Sequence, residues 1–496
     1  MKTALPKYEL LYVKSQKNFG QGAEFRLPAA GRHSLSAQLQ RSDHTLKDIS
    51  NEKNERIEKK ASALGNSAIW LAASLSVPLA TAGTAAAPLG AVRGTAAILL
   101  GCVAGGFLLF LTGLAGDSLG KNAMESSAIS FGQAGPVFFA VLNVIQLTGW
   151  SALLIRRNAE CAAGAADAMT SAAAAGAADV MTSAGAADAM TSAAAAGAAG
   201  TTFFGIISSP LLWILLTGGL ILALIFFGLE NTKKLCFPAA AVLIFLFFLL
   251  CAVSNKTENS FISFAGYRSG FGEVINLSAS LPLFWIPVLP DHVSKAARPK
   301  RTSAVCAFSC SAAGAAACLV GMWTALRAGT ADIAMILPYA GMAAAGLFLS
   351  VLGAVAPVFL CLYSAGVSFC AVYDKMDAKK NAVILGAAAL LLAAFAPVAQ
   401  LEPFLRYLTS AFLPMAAVLI TDRFRTGRNN EEKDFDPRGC ALWLFGFLAS
   451  RFLDASGTPA GSALTSAVLL IAAGVAVDRI ARRRKAKQCK MRSNEK

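Results

Sequence analysis

Residues 134–155 read AGPVFFAVLNVIQLTGWSALLI, an apolar run without a single charged side chain. A helix rising about 1.5 Å per residue needs about 20 such residues to cross the roughly 30 Å hydrocarbon layer of a bilayer. A helix apolar on every face is buried in a large core or in lipid, and the stretch reads as a membrane span. Eleven further runs lie near 67–90, 95–116, 204–228, 236–253, 272–291, 303–326, 342–372, 381–400, 404–422, 440–453 and 461–480. The expected fold class is all-α and polytopic, with twelve transmembrane helices. Composition agrees: of 496 residues 56 % are hydrophobic and 15 % charged, with mean hydropathy +0.56, where soluble domains are roughly a quarter charged.

Three regions follow: a polar tail over 1–65, a transmembrane domain over 66–480, and a basic tail over 481–496. Cytosolic loops collect Lys and Arg. Lys121, Lys233, Lys234, Lys295, Arg298, Lys375, Lys379, Arg423 and Arg425 follow even-numbered spans, and Arg482, Arg483 and Arg484 follow the twelfth. Both termini are therefore expected in the cytosol, with Arg156 and Arg157 running against the pattern. The net charge of +15 is accounted for by these loops and tails, so no nucleic-acid partner is expected. Residues 159–200 repeat GAADAMTSA from Gly164 and Gly185 and GAADVMTSA from Gly176, and read as a low-complexity insert in an outward loop. Residues 331–341 read as a helix lying at the membrane surface.

Eleven cysteines without a CxxC pair, and three histidines (His33, His44, His292) far apart, argue against a disulfide framework, a metal site or a histidine triad. With no paired acids or activated nucleophile, an enzyme is not expected, nor is a cofactor.

Helix breakers at mid-membrane depth expose backbone groups that can hold a solute or ion. The first span reads SLSVPLATAGTAAAPLG from Ser74, with Pro78 and Gly83 near its middle, and the sixth reads INLSASLPLFWIPVLPD from Ile275, with Pro282, Pro287 and Pro290. In the third span Asn143, Gln146 and Trp150 stand at i, i+3 and i+7, on one helical face. Two amides and an indole suit a planar nitrogen heterocycle, which Phe284 and Trp285 of the sixth span would close from the other side. Gly101 and Gly105 form a close-packing face. Asp291 and Asp422, at the cytosolic ends of their spans, read as contacts to a loop or neighbouring helix.

The blocks GKNAMESSAISFGQAGPVFFAVLNVIQLTGWSALLI from Gly120, LSASLPLFWIPVLPD from Leu277 and LYSAGVSF from Leu362 resemble the nucleobase:cation symporter family that includes the cytosine permeases, and within it the hydroxymethylpyrimidine-transporter subgroup. The resemblance runs from about Ala68 to Arg479. It implies a LeuT-type inverted repeat of five plus five helices with two added, alternating access around a site between spans one, three, six and eight, and coupling to Na+ or H+. It also implies a bacterial inner membrane. By position, Trp150 matches the family's ring-stacking tryptophan, Gln146 lies near its substrate-binding glutamine, and Phe284 and Trp285 fall in the lining. The family's cation is held by carbonyls, here Ala72, Ser76 and Gly353, and by paired hydroxyls where this chain has Ala356 and Pro357. Sodium takes oxygen ligands, and losing two weakens such a site severely. The expectation is a permease importing hydroxymethylpyrimidine, cytosine or a related nucleobase on protons or by facilitated diffusion. The alternative is a non-transporting receptor or degenerate paralogue that keeps the binding fold.

Overall fold

In the computed structural model the first span is interrupted at Leu75 and Ser76. The structure describes residues 65–117, 120–184, 205–254, 269–294, 296, 298–328, 336–337, 341–373, 375–456, 458 and 461–494. The polar tail before residue 65, the insert beyond 184 and most of the expected surface helix at 331–341 lie outside them.

Residues 65–74 form α1 and Val77–Thr84 form α2, with Ser76 between them in an extended conformation (φ −137°, ψ 154°). Pro78 explains part of the break: it has no N–H, so the carbonyl of Ser74 loses its helical donor. A tight turn at Gly90 (φ 77°), a conformation that favours glycine, leads into α3 (Gly90–Asp117). Short helices α4 (Ala123–Ser126) and α5 (Ala128–Phe131) precede α6 (Ala134–Ala184). Then come α7 (Pro210–Phe227) and α8 (Leu229–Ser254). The sixth span is also divided, into α9 (Phe271–Leu283) and α10 (Leu289–Val293), across the turn that carries Phe284, Trp285 and Pro287. It is followed by α11 (Pro299–Ala328), α12 (Ala343–Cys370) and α13 (Ala378–Phe395). The last elements are α14 (Val398–Ser410), α15 (Phe412–Thr421), α16 (Pro437–Ser456) and α17 (Ser462–Asn494).

Among the described residues the expected segments fall largely on helix, and nine helices are long and apolar enough to cross a membrane. Two helices differ in extent from the expected segments. The third span does not stop near 155: α6 runs on through the alanine-rich insert to Ala184, with Ala159, Ala162, Ala163 and Ala166 buried. Alanine is the strongest helix former, so residues 159–184 prolong a helix where an outward loop was expected. The tenth span is two segments, α14 and α15, meeting at Ala411. The basic stretch after residue 480 continues α17 as helix.

Small residues bring the divided spans against their neighbours. A Cβ on Gly101 would lie 2.5 Å from the carbonyl oxygen of Ile275, and one on Gly105 2.5 Å from that of Ala279, so the GxxxG face of α3 packs directly on α9. A Cβ on Gly321 would lie 1.7 Å from the carbonyl oxygen of Ala80, which places α11 backbone to backbone with α2. The largest helix interface joins α6 to α12. Trp70, Phe131, Phe139, Phe359 and Phe412 are fully buried, whereas Phe107, Phe226, Phe245, Phe248, Phe308 and Phe395 are more than half exposed. An apolar surface of that extent calls for lipid.

Candidate functional site

The α6–α12 interface holds the third-span amides. Asn143 is fully buried and its Nδ2 donates to Ser368 Oγ on α12 (2.8 Å). Gln146 Nε2 in turn donates to Asn143 Oδ1 (2.9 Å), while Gln146 Oε1 is buried with no partner. Buried carbonyl oxygens are nearly always satisfied, and an orphan at the end of a two-amide relay is an acceptor waiting for a donor.

One turn along the same face, Trp150 is half-buried and its indole N–H donates to Thr409 Oγ1 (3.0 Å) on α14. Its ring stands edge to face with Phe284 (centroids 5.7 Å, 84°), which meets Trp285 (4.9 Å, 83°). The chain of rings continues from Trp285 to Trp70 on α1 (5.4 Å), then to His292 (5.9 Å) and Tyr363 on α12 (5.1 Å). Trp150, Phe284 and Trp285 are thus brought together, as are Asn143 and Gln146. Ser368, Trp70, His292 and Tyr363 are not among the site residues expected from sequence, because they join the network only through long-range packing. The proline cluster beside His292 was the one signal that could have drawn attention to it.

The first-span break faces α12. A Cβ on Gly353 would lie 3.5 Å from Ser76 Cα and 3.8 Å from the Leu75 carbonyl oxygen. Pro357 lacks the N–H that would bind the Gly353 carbonyl, just as Pro78 frees that of Ser74, and Ser76 Oγ is buried without a partner. The Ala72 carbonyl accepts the Leu75 N–H (3.4 Å). On the α12 side Ala356 and Pro357 offer no side-chain oxygen, and Ser350 Oγ donates to the Gly346 carbonyl (3.0 Å). These donors are carbonyls and a single hydroxyl, short of the full oxygen shell a hard cation takes. They do not fit a sodium site built on paired α12 hydroxyls.

Both aspartates noted in the sequence make structural contacts. Asp291 accepts from the Ala123 N–H (2.9 Å) and from Ser364 Oγ (2.5 Å), and Asp422 pairs with Arg438 (2.8 Å). At the other end of α6, Leu405 of α14 packs on Gly149, where a Cβ would lie 2.5 Å from its Cδ2. Arg157 Nη2 bonds Glu402 Oε2 (2.8 Å) and Arg406 Nη2 bonds Glu402 Oε1 (2.6 Å), while Arg156 pairs with Glu160 (2.6 Å). The two arginines that break the loop-charge pattern are therefore both in ion pairs. Together these contacts clasp α14 over the Trp150 end of the site. Exposed ion pairs are worth at most about 1 kcal/mol, so Glu402→Gln should speed thiol labelling of a Leu405→Cys reporter by about 1.5- to 5-fold. An unchanged labelling rate would show that the clasp rests on Trp150 and Leu405 alone.

A family model described as "Permease for cytosine/purines, uracil, thiamine, allantoin" matches residues 54–436. The chain belongs to this permease family. It is a transporter rather than an enzyme. Among solved structures, the permease resembles Mhp1, a nucleobase-cation-symport-1 family transporter, in a closed conformation with bromovinylhydantoin bound. That match has 18 % identity, 84 % of this chain and 93 % of that one, and a TM-score of 0.60. The inward-facing conformation of Mhp1 matches at 16 % identity over 85 % and 91 % of the two chains, with a TM-score of 0.58. An outward-open Na+-coupled sialic acid symporter matches at 12 % identity over 85 % and 89 %, with a TM-score of 0.57. The permease therefore has the LeuT-type fold, all-helical and polytopic. No curated protein sequence matches it significantly.

Proposed function

We propose that this permease imports a small planar nitrogen heterocycle, a pyrimidine such as hydroxymethylpyrimidine or cytosine, by alternating access across a bacterial inner membrane. It crosses the bilayer twelve times with both termini in the cytoplasm. Trp150 stacks the ring with Phe284 and Trp285 at its edges, and Gln146, steadied by Asn143, accepts a hydrogen bond from a ring N–H or exocyclic amine. The observation that carries this reading is the relay from Ser368 through Asn143 to the unpaired Gln146 Oε1, one turn from an indole face. A solute with donors on the edge of a flat ring completes both.

Ala356 and Pro357 supply no side-chain hydroxyl beside Ala72, Ser76 and Gly353, which weakens a sodium site there and favours protons or facilitated diffusion over sodium as the means of transport. Uptake of labelled hydroxymethylpyrimidine and cytosine, in cells lacking their own permeases, should saturate and stay unchanged when sodium is replaced by potassium. A protonophore should abolish accumulation if protons drive it and leave equilibration intact if the protein is a facilitator. Uptake that collapses without sodium would refute the reading of Ala356 and Pro357. The same two residues favour one second reading, a receptor that binds without moving its ligand, which saturable binding without flux would support.

A further inference from the structure

A cavity of about 340 Å³ opens between α5, the start of α6 and the start of α16, lined by none of Asn143, Gln146, Trp150, Phe284 and Trp285. Phe131, Phe138, Phe139, Phe435, Trp443 and Leu444 wall it, and no residue lining it carries a charge. The rings meet edge to face, Phe138 with Trp443 at 5.4 Å and 84° and Phe139 with Trp443 at 5.8 Å and 78°. The indole N–H of Trp443 is turned away, donating to the Ala411 carbonyl (2.9 Å). Apart from the Cys440 thiol, a weak donor and acceptor, no side chain lining the cavity offers a hydrogen bond to a nucleobase, and burying a polar ring there without partners would be costly.

Its rim decides what can fill it. Phe138, Phe435 and Leu444 are about half exposed, and the apolar surface continues along α6 through Val137 and Val141 and along α16 through Phe445 and Leu448. This is surface of the kind that faces acyl chains. The segment that supplies Phe435 is anchored across the start of α6, where the Lys433 and Asp434 carbonyls accept the N–H groups of Gln133 and Ala134 (2.9 and 3.0 Å). On that segment Glu432, Lys433 and Asp434 are exposed; Lys433 Nζ lies 3.2 Å from Oδ1 of the buried Asp436 but stays half exposed, with N–H groups left for a phosphate, and Glu432 and Asp434 offer anion sites for an ammonium. This trio suits a zwitterionic headgroup better than an anionic one.

We propose that this cavity holds one acyl chain of a zwitterionic, amine-headed phospholipid, with the headgroup over Glu432, Lys433 and Asp434. The inference requires only that the chain sits in a bilayer and does not depend on the solute transported. Phe139 lies one turn before Asn143, so the bound chain would brace the helix that carries the amide relay.

The test uses the full-length protein in nanodiscs containing phosphatidylethanolamine with brominated chains, which quench tryptophan on contact. Difference spectra against Trp443→Phe and Trp323→Phe isolate the emission of one cavity residue and one exposed residue, Trp323 being 39 % exposed. The expected result is half-quenching of Trp443 at a several-fold lower fraction of brominated lipid than Trp323. Brominated phosphatidylglycerol should need several-fold more lipid to quench Trp443 equally. Ala134→Phe, which fills the cavity from its wall, should bring Trp443 to the Trp323 value, and either comparison alone carries the test. Equal quenching of both tryptophans would mean ordinary bilayer contact and would overturn the proposal. Equal or stronger quenching of Trp443 by phosphatidylglycerol would overturn the headgroup assignment.

Discussion

Trp150→Ala should raise the KM for heterocycle uptake by about 5- to 150-fold, the equivalent of the 1–3 kcal/mol that stacking a base on an aromatic ring contributes. The indole is half-buried and held on two sides, by its bond to Thr409 Oγ1 at 3.0 Å and by the edge of Phe284 at 5.7 Å. Held that way, it is pre-organised as a platform, and little rotamer freedom is lost when a ring settles on it. The substitution removes the platform and one tie between α6 and α14, while α6 keeps its bond to α12 from Asn143 to Ser368 and its buried Leu147 and Phe139. Membrane abundance should therefore be unchanged. Trp150→Phe separates the two roles, because it keeps a stacking face and loses the donor to Thr409, and it should retain most of the affinity. Wild-type uptake kinetics in Trp150→Ala would sink the assignment.

Gln146→Leu should lower affinity by a comparable 5- to 150-fold, since a hydrogen bond made from a fully buried acceptor is worth about 1–3 kcal/mol when its loss leaves a group unpaired. Its effect on stability should be small, and the reason lies in the relay. In the protein without solute, Gln146 Oε1 is already an unpaired buried oxygen. Leucine removes that penalty but leaves Asn143 Oδ1 without the Nε2 donor it now has at 2.9 Å. The two terms are alike in kind and opposite in sign, so the unfolding free energy without solute should move by less than about 1 kcal/mol. A thermal-shift measurement together with direct binding reads both quantities on one preparation. Loss of binding at unchanged stability supports Gln146 as a solute ligand. Loss of both would make it a structural member of the α6–α12 interface.

Much of the fold is written in local pattern. A span is legible because crossing a bilayer imposes a length and an apolarity on one contiguous stretch, and among the described residues the segments read this way fall largely on helix. The breaks at Pro78 and around Pro287 are legible because proline acts on its own helix, by withholding a donor from the residue four back. The GxxxG face on α3 was legible in kind, though only packing named α9 as its partner. The helical start of the alanine-rich insert is legible too, because alanine's helix propensity is a local property and α6 follows it to Ala184.

The candidate site was half legible for the same reason. Asn143, Gln146 and Trp150 could be placed on one face because helical periodicity alone puts them there. Nothing local links Asn143 to Ser368, 225 residues away, or Trp150 to Thr409, 259 residues away, or Arg157 to Glu402, 245 residues away. The sequence by itself determined that this chain is a bundle of membrane helices with two of them broken, because length, apolarity and proline chemistry act within one segment. Only the tertiary structure decided which amide oxygen is left unpaired, which rings meet, and that Gly353 of α12 lies against the first-span break. Those depend on which residues distant helices bring within reach of one another.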